Sequence, residues 1–111
     1  MNRDFNMKRN KKSISHDAAV IRELRDDPDF AVEYLKAAMD DQAEPRVLLI
    51  ALRQIAEARG GVTKIAKKAG IERESLSRAL SSKGNPRFST LAAIAKAVGL
   101  RLTVEHAIAP G

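Results

Sequence analysis

The 111-residue sequence predicts an all-α protein, a small bundle of about five or six helices ended by one short C-terminal strand. Three observations predict it. Hydrophobic residues make up 44% of the chain but aromatics only 4%, with no Trp, so the core must be built from Leu, Ile, Val and Ala, which mesh at helix crossings. Apolar residues recur at three- and four-residue spacing in a series of short segments. Gly and Pro fall between those segments, where they stop and start helices.

Residues 1–13 are polar, lysine-rich and aperiodic, the composition of a disordered basic tail. Ser15 is placed to cap a first short helix carrying Ala18, Ala19, Ile21 and Leu24. Asp27 at the N-cap, Pro28 at the first helical position and Asp29 in the first turn start a second helix. Its apolar stripe runs through Phe30, Ala31, Tyr34, Leu35 and Ala38. Asp40–Glu44 reads as a connection. Pro45 opens a third helix with Leu48, Leu52 and Ile55 inward, and Arg59-Gly60-Gly61 ends it. Val62–Ala69 is a short helix closed by Gly70, and Arg73–Leu80 is another. Ser81–Arg87, with Gly84, Asn85 and Pro86, is a loop. Ser89 is placed to cap a last helix whose Leu91, Ile94, Ala95 and Val98 face inward, with Gly99 beyond its end. Leu100–Glu105 alternates apolar and polar and reads as one strand, whose partner would be the same strand of a second subunit or another chain.

Charge is distributed in blocks. The net charge of +6 divides into +4 over residues 1–16, −6 over 17–44 and +8 over 45–111. The last block offers a cationic surface to a polyanion, and the acidic block suits a different partner. The chain is therefore expected to divide into a basic tail (1–13), an acidic helical segment (14–44) and a nucleic-acid-binding domain (45–111). The absence of cysteine fits a reducing cytosol. No apolar run is long enough to span a bilayer, and the basic N-terminus lacks the apolar stretch of a secretory signal, so a bacterial cytoplasmic protein associated with the nucleoid is expected.

An enzyme is not expected. The two histidines, His16 and His106, stand apart and lack a serine–carboxylate arrangement or metal-ligand spacing. Gly60-Gly61 is not followed by the Gly-Lys-Ser/Thr of a phosphate loop. No cofactor or metal is expected.

The stretch from Gly61 to Leu80, GVTKIAKKAGIERESLSRAL, has the anatomy of a helix-turn-helix. Two short helices that cross steeply need a small residue at the crossing, supplied by Ala66. The turn needs positive φ, supplied by Gly70. Ile65, Ala69, Ile71, Leu76 and Ala79 supply the apolar positions, and Leu80 closes the unit. In such a unit the second helix enters the major groove by its N-terminal half. Glu72, Arg73, Glu74, Ser75, Ser77 and Arg78 are then the candidate base contacts, because Arg can hold guanine O6 and N7, Ser can donate or accept, and Glu can accept from cytosine N4. Thr63, Lys64, Lys67 and Lys68 on the preceding helix, and Lys83, Asn85 and Arg87 in the following loop, are the candidate phosphate contacts.

The strings IA…AGI.RE.L.RALS and GNP.F.TL, the GLRL ending and the upstream segment DFAVEYLKAAMDD resemble the probable addiction-module antidote proteins. These are small antitoxins with a helix-turn-helix of the lambda-repressor type. The likeness runs from about Asp17 to Val104. It implies a cognate toxin of the RelE/ParE/HigB-like kind, neutralised by this chain, and repression of the chain's own operon. It further implies a homodimer on two operator half-sites. Carried over by position, Arg73, Glu74, Ser77 and Arg78 would face bases. Glu72 departs from the family's usual Ser or Thr at the cap, and Ser77 replaces a larger residue, so an operator sequence does not carry over. The acidic block Asp17–Glu44 is the expected toxin-facing surface. Two readings compete: a stand-alone regulator without a toxin, and an interaction module that no longer binds DNA, which the acids Glu72 and Glu74 keep open. Single-stranded RNA is disfavoured by the lack of aromatic stacking surface.

Overall fold

A computed structural model describes residues 16–40, 44–104, 106 and 107. They form six helices: α1 over residues 16–26, α2 Pro28–Asp40, α3 Pro45–Ala58, α4 Val62–Ala69, α5 Arg73–Ala79 and α6 Phe88–Ala97. The basic tail and the Ser15 cap expected from sequence lie outside the described residues.

Local chemistry sets most helix ends. The Asp27 carboxylate accepts the backbone N–H groups of Asp29 at 3.1 Å and Phe30 at 3.4 Å, satisfying donors at the start of α2. Pro45 starts α3 where a missing N–H costs nothing. Helices α3, α4 and α6 end alike: the N–H groups of Gly61, Ile71 and Leu100 donate back to the carbonyls of Ala56, Ala66 and Ala95 at 2.9, 3.0 and 2.8 Å. Each of these turns contains a glycine at positive φ, and Gly70, at φ 71°, sits in the left-handed region between α4 and α5.

Two expectations are corrected. Among the described residues there is no strand: Leu100–Val104 takes no regular secondary structure. Leu100 and Leu102 are half-buried against the helical core, so packing on helices satisfies the alternation that suggested a strand. Ser89 does not cap α6. The helix begins at Phe88, after an extended Arg87 whose carbonyl accepts the Leu91 N–H at 3.0 Å, and no side chain caps it. In α3, Leu49 is buried and Leu48 only half-buried, because Leu49, Leu52 and Ala56 share the row that faces the core.

One hydrophobic cluster joins the acidic segment to the rest. Leu24 of α1 and Ala31, Leu35 and Ala38 of α2 lie in it with Leu52 and Ile55 of α3, Ile65 of α4, Leu76 of α5 and Ile94 of α6. Helix α4 occupies the middle, touching α3, α5 and α6, while α2 packs on α3.

A polar link runs beside this core. Gln54 is only 4% exposed. Its carbonyl oxygen accepts the Tyr34 hydroxyl at 2.5 Å and its amide donates to Asp17 at 2.8 Å. The Arg53 guanidinium donates to the same Asp17 oxygen at 2.7 Å. Burial pushes the Asp17 carboxyl up, but the hydrogen bonds from Arg53 and Gln54 and the nearby Arg53 charge together outweigh it, leaving the group below its ordinary value. Burial pushes the Tyr34 hydroxyl up, against the Gln54 hydrogen bond.

Candidate nucleic-acid interface

Helices α4 and α5 are joined by Gly70-Ile71-Glu72. Their buried contact is made by Ile65 and Ala66 from α4 and Leu76 from α5, with Leu80 following. Ala66, 2% exposed, is the small residue a close crossing requires. Ile71, Ala69 and Ala79 are half-buried at its margin. In α5 this leaves Arg73, Glu74, Ser75, Ser77 and Arg78 exposed, together with Glu72 before it. Glu72 stands at the N-cap in extended conformation and makes no capping bond, as its side chain led one to expect. Glu74 places negative charge in the first turn, where it complements the helix dipole.

The candidate phosphate contacts Thr63, Lys64, Lys67, Lys68, Lys83, Asn85 and Arg87 are all exposed. Among the described residues the ion pairs are Arg46–Glu44 and Arg53–Asp17, so none of the cations on α4, α5 or the following loop is held by a carboxylate. The side chains divide by location, however. Lys64 lies back across Gly60, where a β-carbon would meet its stem at 2.6 Å. Lys68 lines an open cleft of about 660 Å³ with Arg59 and Lys96, where α3, α4 and α6 all end. Cations at three converging C-termini offset the partial negative charge of the helix ends, which gives Lys68 a structural task of its own.

The loop after α5 is fixed tightly. The Ser81 hydroxyl donates to the Arg78 carbonyl at 2.8 Å, and the Gly84 N–H donates to the Ser81 carbonyl at 2.9 Å. A β-carbon on Gly84 would lie 2.1 Å from the Ala79 carbonyl oxygen, so only glycine lets the loop fold back on α5. Asn85 and Arg87 therefore leave from a defined position beside α5.

Sequence reasoning missed three features. The Arg73 Nε–H donates to the Thr63 hydroxyl at 2.9 Å, joining the first turns of α4 and α5. Phe88 is 71% exposed next to Arg87, a large apolar surface beside a polar loop. The Asp17–Gln54–Tyr34 link was also missed. For that link the one signal was Gln54, a lone amide among Leu52, Ile55 and Ala56. No group of His, Cys, Asp and Glu suited to a metal ion occurs among the described residues. No helix among them is long and apolar enough to cross a membrane.

A family model described as "Probable addiction module antidote protein" matches residues 15–106. Over 60 residues the chain is 45% identical to an uncharacterized protein of Haemophilus influenzae, a match covering 54% of this chain and 61% of that one. The match thus spans about three-fifths of the length of this curated relative. No solved structure matches.

Proposed function

This chain belongs to the probable addiction module antidote protein family, and from that premise we propose that it is a DNA-binding antitoxin. In this reading α4 and α5 form a helix-turn-helix of the lambda-repressor type. Helix α5 enters the major groove with Glu72, Arg73, Glu74, Ser75, Ser77 and Arg78 toward base edges. Thr63, Lys64, Lys67, Lys68, Lys83, Asn85 and Arg87 meet phosphates on either side. The chain reads its own operator as a homodimer, on half-sites about one helical turn apart. The family's description implies a toxin as the second partner. Here we take it to be a small cationic RelE/ParE-like protein, docked on the exposed acids Glu23, Asp26, Asp29, Glu33 and Asp40 of α1 and α2.

What carries the DNA-binding reading is the coincidence of two things on α4–α5. The apolar residues of the pair are spent on the crossing, and every cation and hydroxyl around it is exposed, with no carboxylate partner among the described residues. Exposed cations without carboxylate partners are what phosphate neutralisation uses.

The test is a titration of a labelled promoter fragment at two salt concentrations. A band of bound DNA is expected at 50 mM salt, with affinity lower by about a thousandfold or more at 200 mM. Absence of binding at low salt overturns the reading. Co-purification with the product of the adjacent reading frame tests the toxin, and failure of the two to associate removes the antitoxin role while leaving the DNA-binding one.

A further inference from the structure

Arg73 is the first residue of α5 and Thr63 the second of α4, so the two first turns meet at this pair. The Arg73 Nε–H donates to the Thr63 hydroxyl oxygen at 2.9 Å, and both residues are exposed. A free arginine side chain has four rotatable bonds and two edges that can hold a base. It can use Nε with one terminal nitrogen, or the two terminal nitrogens together. Engaging Nε at Thr63 removes the first choice and fixes the tilt of the planar group. The two Nη nitrogens have no partner among the described residues and remain as a paired donor along the far end of the group.

Resting on the DNA-binding reading, we propose that Thr63 is a positioning residue that sets sequence specificity: it presents the Nη edge of Arg73, end-on, to the O6 and N7 of one guanine. A guanidinium fork matches those two acceptors of guanine and no equivalent pair on the other bases. The Thr63 hydroxyl has one proton and two lone pairs. While it accepts from Arg73 it can still donate to a phosphate oxygen, so one side chain ties the backbone register to the base being read. The Arg78 side chain makes no hydrogen bond among the described residues and receives no such support.

The experiment uses the full-length protein and its promoter DNA, with a base-substitution scan across the footprint. Arg73→Ala identifies the base pair at which discrimination is lost. Thr63→Val, which keeps the shape of the side chain and removes the hydroxyl, should then lower the preference for guanine at that same base pair by about tenfold. Thr63→Ser should restore it. The double variant should discriminate no worse than Arg73→Ala alone, since the two act as one unit. Thermal unfolding of the three single variants should match the wild type, both side chains being exposed.

If Thr63→Val lowers affinity for every sequence equally and leaves the guanine preference intact, Thr63 holds only a phosphate and the proposal is overturned. Loss of preference at a different base pair from that of Arg73→Ala also overturns it. If the wild type binds no DNA, the underlying reading falls as well, an outcome the salt titration separates from the other two.

Discussion

Gln54 shows how much a single side chain can connect. It is a buried amide on the inner face of α3, yet each of its polar atoms has a partner, Tyr34 from α2 and Asp17 from α1. Gln54→Leu would leave the Tyr34 hydroxyl without its acceptor and Asp17 with one donor fewer, and should cost about 1–3 kcal/mol in urea unfolding. Asp17 adds a pH dependence of known sign. Its carboxyl is held below its ordinary value in the folded chain, so the charged form stabilises the fold above the unfolded pKa of about 3.9. That contribution is lost as pH falls through the lower, folded value. The wild type should therefore melt above Asp17→Asn at neutral pH, with the difference shrinking below about pH 4; a difference independent of pH would refute the pairing. None of this was legible in the sequence beyond the oddity of an amide in an apolar row, because its partners are supplied by tertiary structure. The exposed residues are different: the DNA contacts proposed for them come from residue type and spacing, and the Arg73–Thr63 bond was added by the structure. Arg73→Ala and Arg78→Ala should each weaken operator binding by about 1–3 kcal/mol, with less effect on unrelated DNA. Lys67→Ala should weaken both alike and flatten the salt slope. A footprint unchanged by both arginine substitutions would remove α5 from the major groove.

At the scale of elements, what could be read locally was read well. Asp27-Pro28 at the start of α2, Pro45 at the start of α3, and the glycines after α3, α4 and α6 all act within one turn of chain. The strand expected at Leu100–Glu105 failed for a reason of the same kind. Alternation reports that every second side chain is covered, not what covers it, and here Leu100 and Leu102 are covered by helices. Two glycines test the geometry that holds α5 and its loop. Gly70→Val forces a β-branched residue to φ 71° and should destabilise the fold by about 1–2 kcal/mol or more. Gly84 has no positive φ, so its requirement is contact rather than torsion: Gly84→Ala drives a methyl into the Ala79 carbonyl, which is backbone and cannot rotate aside. Gly84→Ala should therefore displace the loop as well as cost stability, seen as chemical-shift changes spreading to Asn85 and Arg87. If Gly84→Ala melts with the wild type, the loop does not fold back on α5 as described.

The whole molecule places a constraint on how its two proposed partners can be separated. The charge blocks suggest a boundary near residue 45, with an acidic half for the toxin and a basic half for DNA. The core crosses that line. Leu24 and Leu35 are buried with Leu52, Ile55 and Ile65 in one cluster, and each such side chain is worth about 1.5–3 kcal/mol of burial. Removing α1 and α2 takes both leucines, Ala31 and Ala38 together, and bares the face of α3 they cover, including Gln54. A loss of that size is comparable with the whole stability of a small domain, about 5–15 kcal/mol. A fragment of residues 45–111 should therefore lack cooperative thermal unfolding and lose operator binding. That loss would report the missing core, not a DNA contact made by the acidic segment. Partner contacts must instead be separated on the surface. Glu23, Asp26 and Glu33 are exposed and make no ion pair among the described residues, so reversing them to Lys leaves the cluster intact. The triple variant should melt near the wild type, bind the promoter as tightly or somewhat more tightly because its net charge is more positive, and fail to retain the cationic toxin. Undiminished toxin binding by the folded variant would move that interface off α1 and α2. A cooperatively folded 45–111 fragment would show that the basic half carries a sufficient core of its own.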